Sequence, residues 1–293
     1  MRQRLIIFAF ITVLVLAGGC SEKKDFRKAR RIDTVEAYRE YLREHPEGDY
    51  TDKAQERIRE LTFRKAMARR SIRDLQSFLE EYPDSEHTED IRLLIRSFLK
   101  GRVNNLSDRE LESARLNVKT SMGSFKIKLF PKAAPKNSRN LVLLAASDFY
   151  KGLKVDMAKP GEMILLGDLI GDRLGGPGYF MPFEENDKKH QRGTVSMYHL
   201  PVDKDTGGSQ FFVTLRRMPA MDGKFTVVGE VVQGLETVER ISRVKTSPGK
   251  RGPKPEEPVK IEDVAVEGID LIPDTRKGLE VENKGSPETG GGG

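Results

Sequence analysis

The sequence predicts a small all-α repeat domain followed by a mainly β domain, a closed or nearly closed antiparallel barrel capped by two helices. Three features predict it. Residues 34–61 and 71–98 align at an offset of 37, the signature of stacked helix pairs. From residue 115 the apolar residues alternate with polar ones instead of recurring at helical spacing. Short apolar runs separated by Gly and Pro then continue to residue 266. A length of 293 residues suits about two domains, and 37% hydrophobic residues suffice for a core.

Composition removes several function classes. One cysteine excludes an internal disulfide and a Cys-based zinc or iron–sulfur cage. His45, His87, His190 and His199 are scattered, so no metal or other cofactor is expected. The net charge of +6 arises from mixed-sign runs without a basic stripe interleaved with aromatics, which argues against nucleic acid as a partner.

Residues 1–19 read as a signal peptide: Met1–Arg4 is basic, Leu5–Leu16 apolar and Ala17–Gly19 small. The alternative is an uncut anchor helix, for which the apolar run is short. Leu16-Ala17-Gly18-Gly19-Cys20 also resembles the lipobox of bacterial lipoproteins. That resemblance implies cleavage before Cys20, acylation of its thiol and a membrane anchor in the cell envelope. Ser21 resembles the outer-membrane sorting class, facing the periplasm, if the source is a diderm bacterium. Residues 20–33 then form a lipid-anchored linker.

The repeat domain is expected over 34–113. Thr34-Val35 matches Ser71-Ile72, and Tyr41-Leu42-Arg43-Glu44-His45-Pro46 matches Phe78-Leu79-Glu80-Glu81-Tyr82-Pro83. Val35, Tyr38, Tyr41 and Leu42 fall on one helical face, and Ala54, Ile58 and Leu61 form the stripe of the partner helix. Asp33 and Ser71 are the expected caps. The spacing resembles tetratricopeptide-like repeats. Two units are visible, completed by 99–113 or by a partner protein. The domain reads as a spacer or as a protein-docking surface.

In the second domain Leu116–Phe130 reads as a hairpin turning at Met122-Gly123, with Phe125, Ile127 and Leu129 on its buried face. Pro135–Phe149 reads as a helix with Leu141, Leu144 and Ala145 inward. Strands follow at Met163–Leu166, Thr194–Met197, Gln210–Thr214, Phe225–Val232 and Val259–Val266, with a second helix at Leu235–Val244. The Gly-rich stretch 171–178 is not a dinucleotide fingerprint, because no strand and helix flank it. Ser196, Ser209 and His199 lack a nucleophile motif.

A set of phrases in this domain resembles the cyclophilins. They include Gly152-Leu153, Pro160-Gly161, Gly167-Asp168, Gly193-Thr194-Val195-Ser196-Met197, Gly208-Ser209-Gln210-Phe211-Phe212-Val213-Thr214 and Asp222-Gly223-Lys224-Phe225, in the family's order. The resemblance covers 115–268 and implies a closed eight-stranded barrel, peptidyl-prolyl cis-trans isomerase ancestry, and proline-containing polypeptides as partners. Residues 269–293 read as a disordered tail.

Isomerising an Xaa-Pro bond means twisting a partial double bond across a barrier of about 18–20 kcal/mol. No nucleophile is needed. The proline ring must sit in an apolar pocket, and a donor near the prolyl nitrogen must interact more strongly with the twisted than the planar imide. The resemblance assigns that donor to an arginine, whose position here is Met157; the family's glutamine and phenylalanine positions are Leu165 and Glu162. It assigns substrate binding to Met163, Gln210, Phe212, Met221, Phe225 and His199, the last at an asparagine position. A bulky residue before Met221 is replaced by Ala220. Lys159 shares strand parity with Met157 and reads as a solvated lysine or as a substitute cation. Two functions compete: a weak isomerase for exported proteins, and a non-catalytic scaffold that grips proline segments.

Overall fold

The computed structural model describes residues 21–69, 71–171, 175–249 and 252–272. The leader, Cys20 and the tail from residue 273 lie outside these residues. The chain divides after Ile95 into two compact units.

The first unit is helical. It contains α1 (residues 21–32), α2 (Val35–Glu44), α3 (Thr51–Arg69) and α4 (Ile72–Glu81), and α5 (Thr88–Asn104) runs across its boundary. The 37-residue offset holds in the caps, the helix ends and the turn hydrogen bonds. Thr34 caps α2 by accepting from the Ala37 amide, and Ser71 caps α4 by accepting from the Asp74 amide. Each short helix ends on a residue at the same angles, His45 at φ −132° and Tyr82 at φ −133°. The turns match too, with Gly48 and Thr51 bonded as Ser85 and Thr88 are. Tyr38, Tyr41, Ala54 and Ile58 are buried as expected, with Val35, Leu42 and Leu61 packed against them.

Two expectations change here. The cap of α2 is Thr34 rather than Asp33, which takes a left-handed φ of 53° and turns its carboxylate to Arg57 at 2.5 and 2.8 Å. Residues 21–32 are helical rather than a linker, because Phe26 and Ala29 recur at i, i+3 and are buried against Tyr38 and Tyr41.

The second unit holds α6 (Asp108–Ser113), closed by a Ser107–Glu110 capping box, and a curled antiparallel sheet of eight strands. In chain order these are β1 (Arg115–Thr120), β2 (Gly123–Leu129), β3 (Val155–Lys159), β4 (Met163–Leu166), β5 (Thr194–Met197), β6 (Phe211–Thr214), β7 (Val227–Gln233) and, last, β10 (Ile261–Glu267). The spatial order is β10-β1-β2-β7-β5-β6-β4-β3, every neighbouring pair antiparallel. β8 (Thr246–Ser247) and β9 (Lys254–Pro255) form a separate ribbon. Helices α7 (Pro135–Ala146) and α8 (Leu235–Ser242) bury Leu141, Leu144 and Ala145, and Val238 and Ile241. The closed ladder expected from sequence is not formed. Between the edge strands β3 and β10 there is a single bridge, Lys154–Lys260, with isolated backbone bonds such as Val155 to the Val259 carbonyl, so the sheet stays open. Strand β3 escaped the apolar-run reading because Asp156 and Lys159 interrupt it.

The repeat caps and core generate the first prediction. Ser71→Ala should destabilise the helical unit by about 1 kcal/mol, the usual worth of a cap, and Phe78→Ala, at 1% exposure, by about 3–5 kcal/mol. Urea unfolding followed by circular dichroism measures both; equal costs would show that the second repeat is not packed as described.

Candidate proline-binding site

The site is set by strand register. Met157 on β3 pairs with Leu165 on β4, Leu165 with Phe212 on β6, and Phe212 with Ser196 on β5. Directly opposed residues share a face of a sheet, so four strands contribute one transverse row. Met163, two residues before Leu165, joins the same face. Met157, Met163, Leu165 and Phe212 form one buried cluster, with Tyr198, Met218, Met221 and Phe225 packed around it. Phe225 meets Phe212 edge-on at 5.2 Å. The structure therefore brings together Met163, Phe212, Met221 and Phe225, and places the Met157 and Leu165 side chains among them.

His199 and Gln210 sit at the margins. The His199 ring stacks on Phe225 at 4.7 Å, and its two nitrogens lie 2.9 and 2.8 Å from the Leu200 and Lys224 carbonyls. It props the Phe225 wall. Gln210 donates from Nε2 to the Gly175 carbonyl at 2.9 Å, while its buried Oε1 has no hydrogen-bond partner among the described residues. Burying an acceptor without a partner is costly. Gln210 also lines a shallow pocket of about 40 Å³ with Gly175, Pro177, Tyr179, Tyr198 and Ser209. The Gly175 end is held by Asp168, whose Oδ1 accepts from the Gly175 amide at 3.0 Å. Asp156 in turn accepts from the Asp168 amide at 3.0 Å. Gly167, at φ 100°, passes so close to Ser209 that a Cβ would strike its carbonyl oxygen, leaving room only for glycine.

Beneath the apolar cluster runs a polar chain that sequence reasoning missed. His190, fully buried, stacks on Phe212 with ring centres 5.8 Å apart. Its Nε2 lies 2.9 Å from Ser196 Oγ and its Nδ1 3.1 Å from Asp222 Oδ1. Arg217 grips both oxygens of Asp222, at 3.2 and 2.5 Å. The order Ser–His–Asp imitates a nucleophilic triad, but Ser196 and His190 are both fully buried, at the end of the row. The chain is a strut. Nothing in the spacing of His190, Ser196, Arg217 and Asp222 announces it; His199, closer in sequence to Ser196, drew the comparison instead.

The electrostatics follow from these contacts. The Arg217 guanidinium holds the Asp222 carboxyl far below the usual carboxylate range. Burial pushes His190 down from its ordinary value, outweighing the neighbouring carboxylate, whose charge Arg217 already balances. The neutral ring donates from Nδ1 and accepts from Ser196, which satisfies every partner. Among the described residues no guanidinium stacks on Phe212 or Phe225, and Arg216, on the loop after β6, is paired with Glu162. Lys159 is opposite Met163 at the edge of the row and partly exposed.

The family description "cyclophilin type peptidyl-prolyl cis-trans isomerase" matches residues 115–266, just over half of the chain. The chain belongs to this family. A peptidyl-prolyl cis-trans isomerase of Helicobacter pylori is 36% identical over 143 residues, which are 47% of this chain and 86% of that protein. One of Synechococcus elongatus is 38% identical over 136 residues, 44% of this chain and 92% of that protein. A cyclophilin structure from Cryptosporidium parvum, 28% identical, covers 52% of this chain and 98% of its own, with a TM-score of 0.48. The matched residues 115–266 span the whole eight-stranded sheet, from β1 to the last strand but for its final residue.

The buried histidine yields an acid-stability prediction. The unfolded chain protonates His190 at its ordinary value near 6.5, whereas the folded chain does so only at lower pH. The unfolded state then binds more protons, so stability present above pH ~6.5 is lost as pH falls through the depressed folded value, at no more than about 1.4 kcal/mol per pH unit. Denaturant midpoints at pH 7.5, 6.5 and 5.5 should decline for the wild type and less for His190→Gln. Parallel curves would mean that folding leaves the proton affinity of His190 unchanged.

Proposed function

We propose that this chain is an envelope lipoprotein whose cyclophilin domain grips Xaa-Pro segments of exported proteins and isomerises them slowly. The observation that supports the reading is the row Met157–Leu165–Phe212, an apolar cluster suited to a proline ring, in which Met157 brings a thioether rather than a hydrogen-bond donor. The floor's two methionines and Phe212 offer the ring contact area. What the row lacks is a preorganised donor to the pyramidalising prolyl nitrogen, and losing one such donor costs roughly a hundred- to a thousandfold in rate. Leu165 removes a further polar group from the same row. Binding without matching turnover is the consequence, since an apolar seat holds planar and twisted imides about equally.

A second reading rests on the same observation: a scaffold that holds proline segments without turning them over. In either case acylation at Cys20 supplies the anchor and the helical unit stands next to it in sequence.

A protease-coupled assay on Xaa-Pro peptides distinguishes the readings. Met157→Arg with Leu165→Gln should raise kcat/KM at least about tenfold, because it restores the donors that the seat lacks. Phe212→Ala should abolish peptide binding in both the wild type and that double variant. Lys159→Ala should leave the wild-type rate unchanged. A wild-type rate that the double variant fails to improve, together with a loss in Lys159→Ala, would make the lysine the working cation. Intact-mass measurement of the membrane-extracted chain checks acylation of Cys20.

A further inference from the structure

The helical unit holds a basic cleft of about 640 Å³, a volume ordinary for a small-ligand site. Helix α1 contributes Lys23, Phe26, Arg27 and Arg30, spaced i, i+3, i+4 and i+7 along one face, and α3 contributes Lys53 and Arg57. Five cations thus face one carboxylate, Asp33, and that carboxylate is already committed to Arg57 and to the Tyr38 hydroxyl. Lys23, Arg27, Arg30 and Lys53 make no ion pair among the described residues. The floor is aromatic: Phe26 stacks on Tyr50 at 4.6 Å, and Lys53 Nζ lies 5.5 Å from the Tyr50 ring centre. A preformed recess whose walls repel one another is relieved by an anion.

We propose that this cleft seats the phosphate of an anionic lipid headgroup and so orients the helical unit on its membrane. The assignment rests on the lipoprotein reading of Cys20. Given that anchor, the cleft begins three residues further on at Lys23, and the helix from 21 to 30 rises only about 14 Å, comparable with the depth of the headgroup region. Tethering raises the local headgroup concentration enough for a modest site to be filled. Arginine forks match phosphate oxygens, and basic residues beside a membrane anchor favour anionic leaflets. A free phosphate offers the same oxygens, and the test separates the two.

The full-length, membrane-extracted chain is titrated in detergent with phosphatidylglycerol, phosphatidylcholine or inorganic phosphate, and bound species are counted by native mass spectrometry. Phosphatidylglycerol should be retained at least tenfold better than phosphatidylcholine. Arg27→Gln with Arg30→Gln should remove that preference, while Lys24→Gln with Arg31→Gln, which removes two cations of α1 outside the cleft, should keep it. Equal loss in both variants, no preference in the wild type, or inorganic phosphate that displaces the lipid at equal concentration would each overturn the proposal. The intact mass of the same sample reports Cys20 separately: an unacylated chain that keeps the preference removes the anchor and leaves the headgroup site standing. Circular dichroism of both variants guards against unfolding, which neither pair of exposed side chains should cause.

Discussion

Everything at the proline seat depends on the antiparallel register that lines up Met157, Leu165, Phe212 and Ser196 across four strands. A slip of one residue in any of these ladders would turn its side chain to the other face and dismantle the row. The register is reinforced from below. Ser196, the last member of the row, bonds His190, His190 bonds Asp222, and Arg217 clamps Asp222 next to Met218 and Met221 of the apolar rim. The polar chain therefore ties a strand of the seat to the loop that forms its wall, and His190 supports Phe212 directly through ring stacking.

This arrangement separates two things that an efficient isomerase combines. Holding a proline ring needs surface, which two methionines, a leucine and a phenylalanine provide at little cost in specificity. Easing rotation needs a dipole aimed at one atom in the twisted state. Met157 has no such dipole, and the neighbouring arginines are held by Glu162 and Asp222. Arg217 is held by both oxygens of Asp222, whereas the exposed Arg216–Glu162 pair is weak, and neither guanidinium stacks on a ring of the seat. His199, whose nitrogens both face backbone carbonyls, is likewise committed to the fold.

Much of this was legible in the sequence, for identifiable reasons. The 37-residue offset predicted both helix pairs because cap, core and turn positions all repeat with it. Alternation predicted β1 and β2, where one face is buried and the other charged. Residues Met163, Phe212, Met221 and Phe225 could be named because the family's phrases surround them. The missed features share a cause: they depend on partners distant in sequence. Asp33 gave up the cap of α2 because Arg57, 24 residues away, outbids a single amide. The helix at 21–32 looked like a linker because its charged positions hide Phe26 and Ala29, whose burial only the fold reveals. His190 meets Asp222 across 32 residues, and no local spacing encodes that contact. The open sheet likewise reflects how β3 and β10 fail to run together beyond one bridge.

The central claim is that the seat binds proline segments without accelerating their rotation in proportion. Two-dimensional NMR exchange spectroscopy of an Xaa-Pro peptide, titrated with the wild-type chain, reads occupancy and exchange in one sample. The account predicts saturable shifts at the Met163 and Met157 methyls with cis–trans exchange at least about a hundredfold slower than in the Helicobacter pylori relative at equal occupancy. Exchange as fast as in that relative would contradict it.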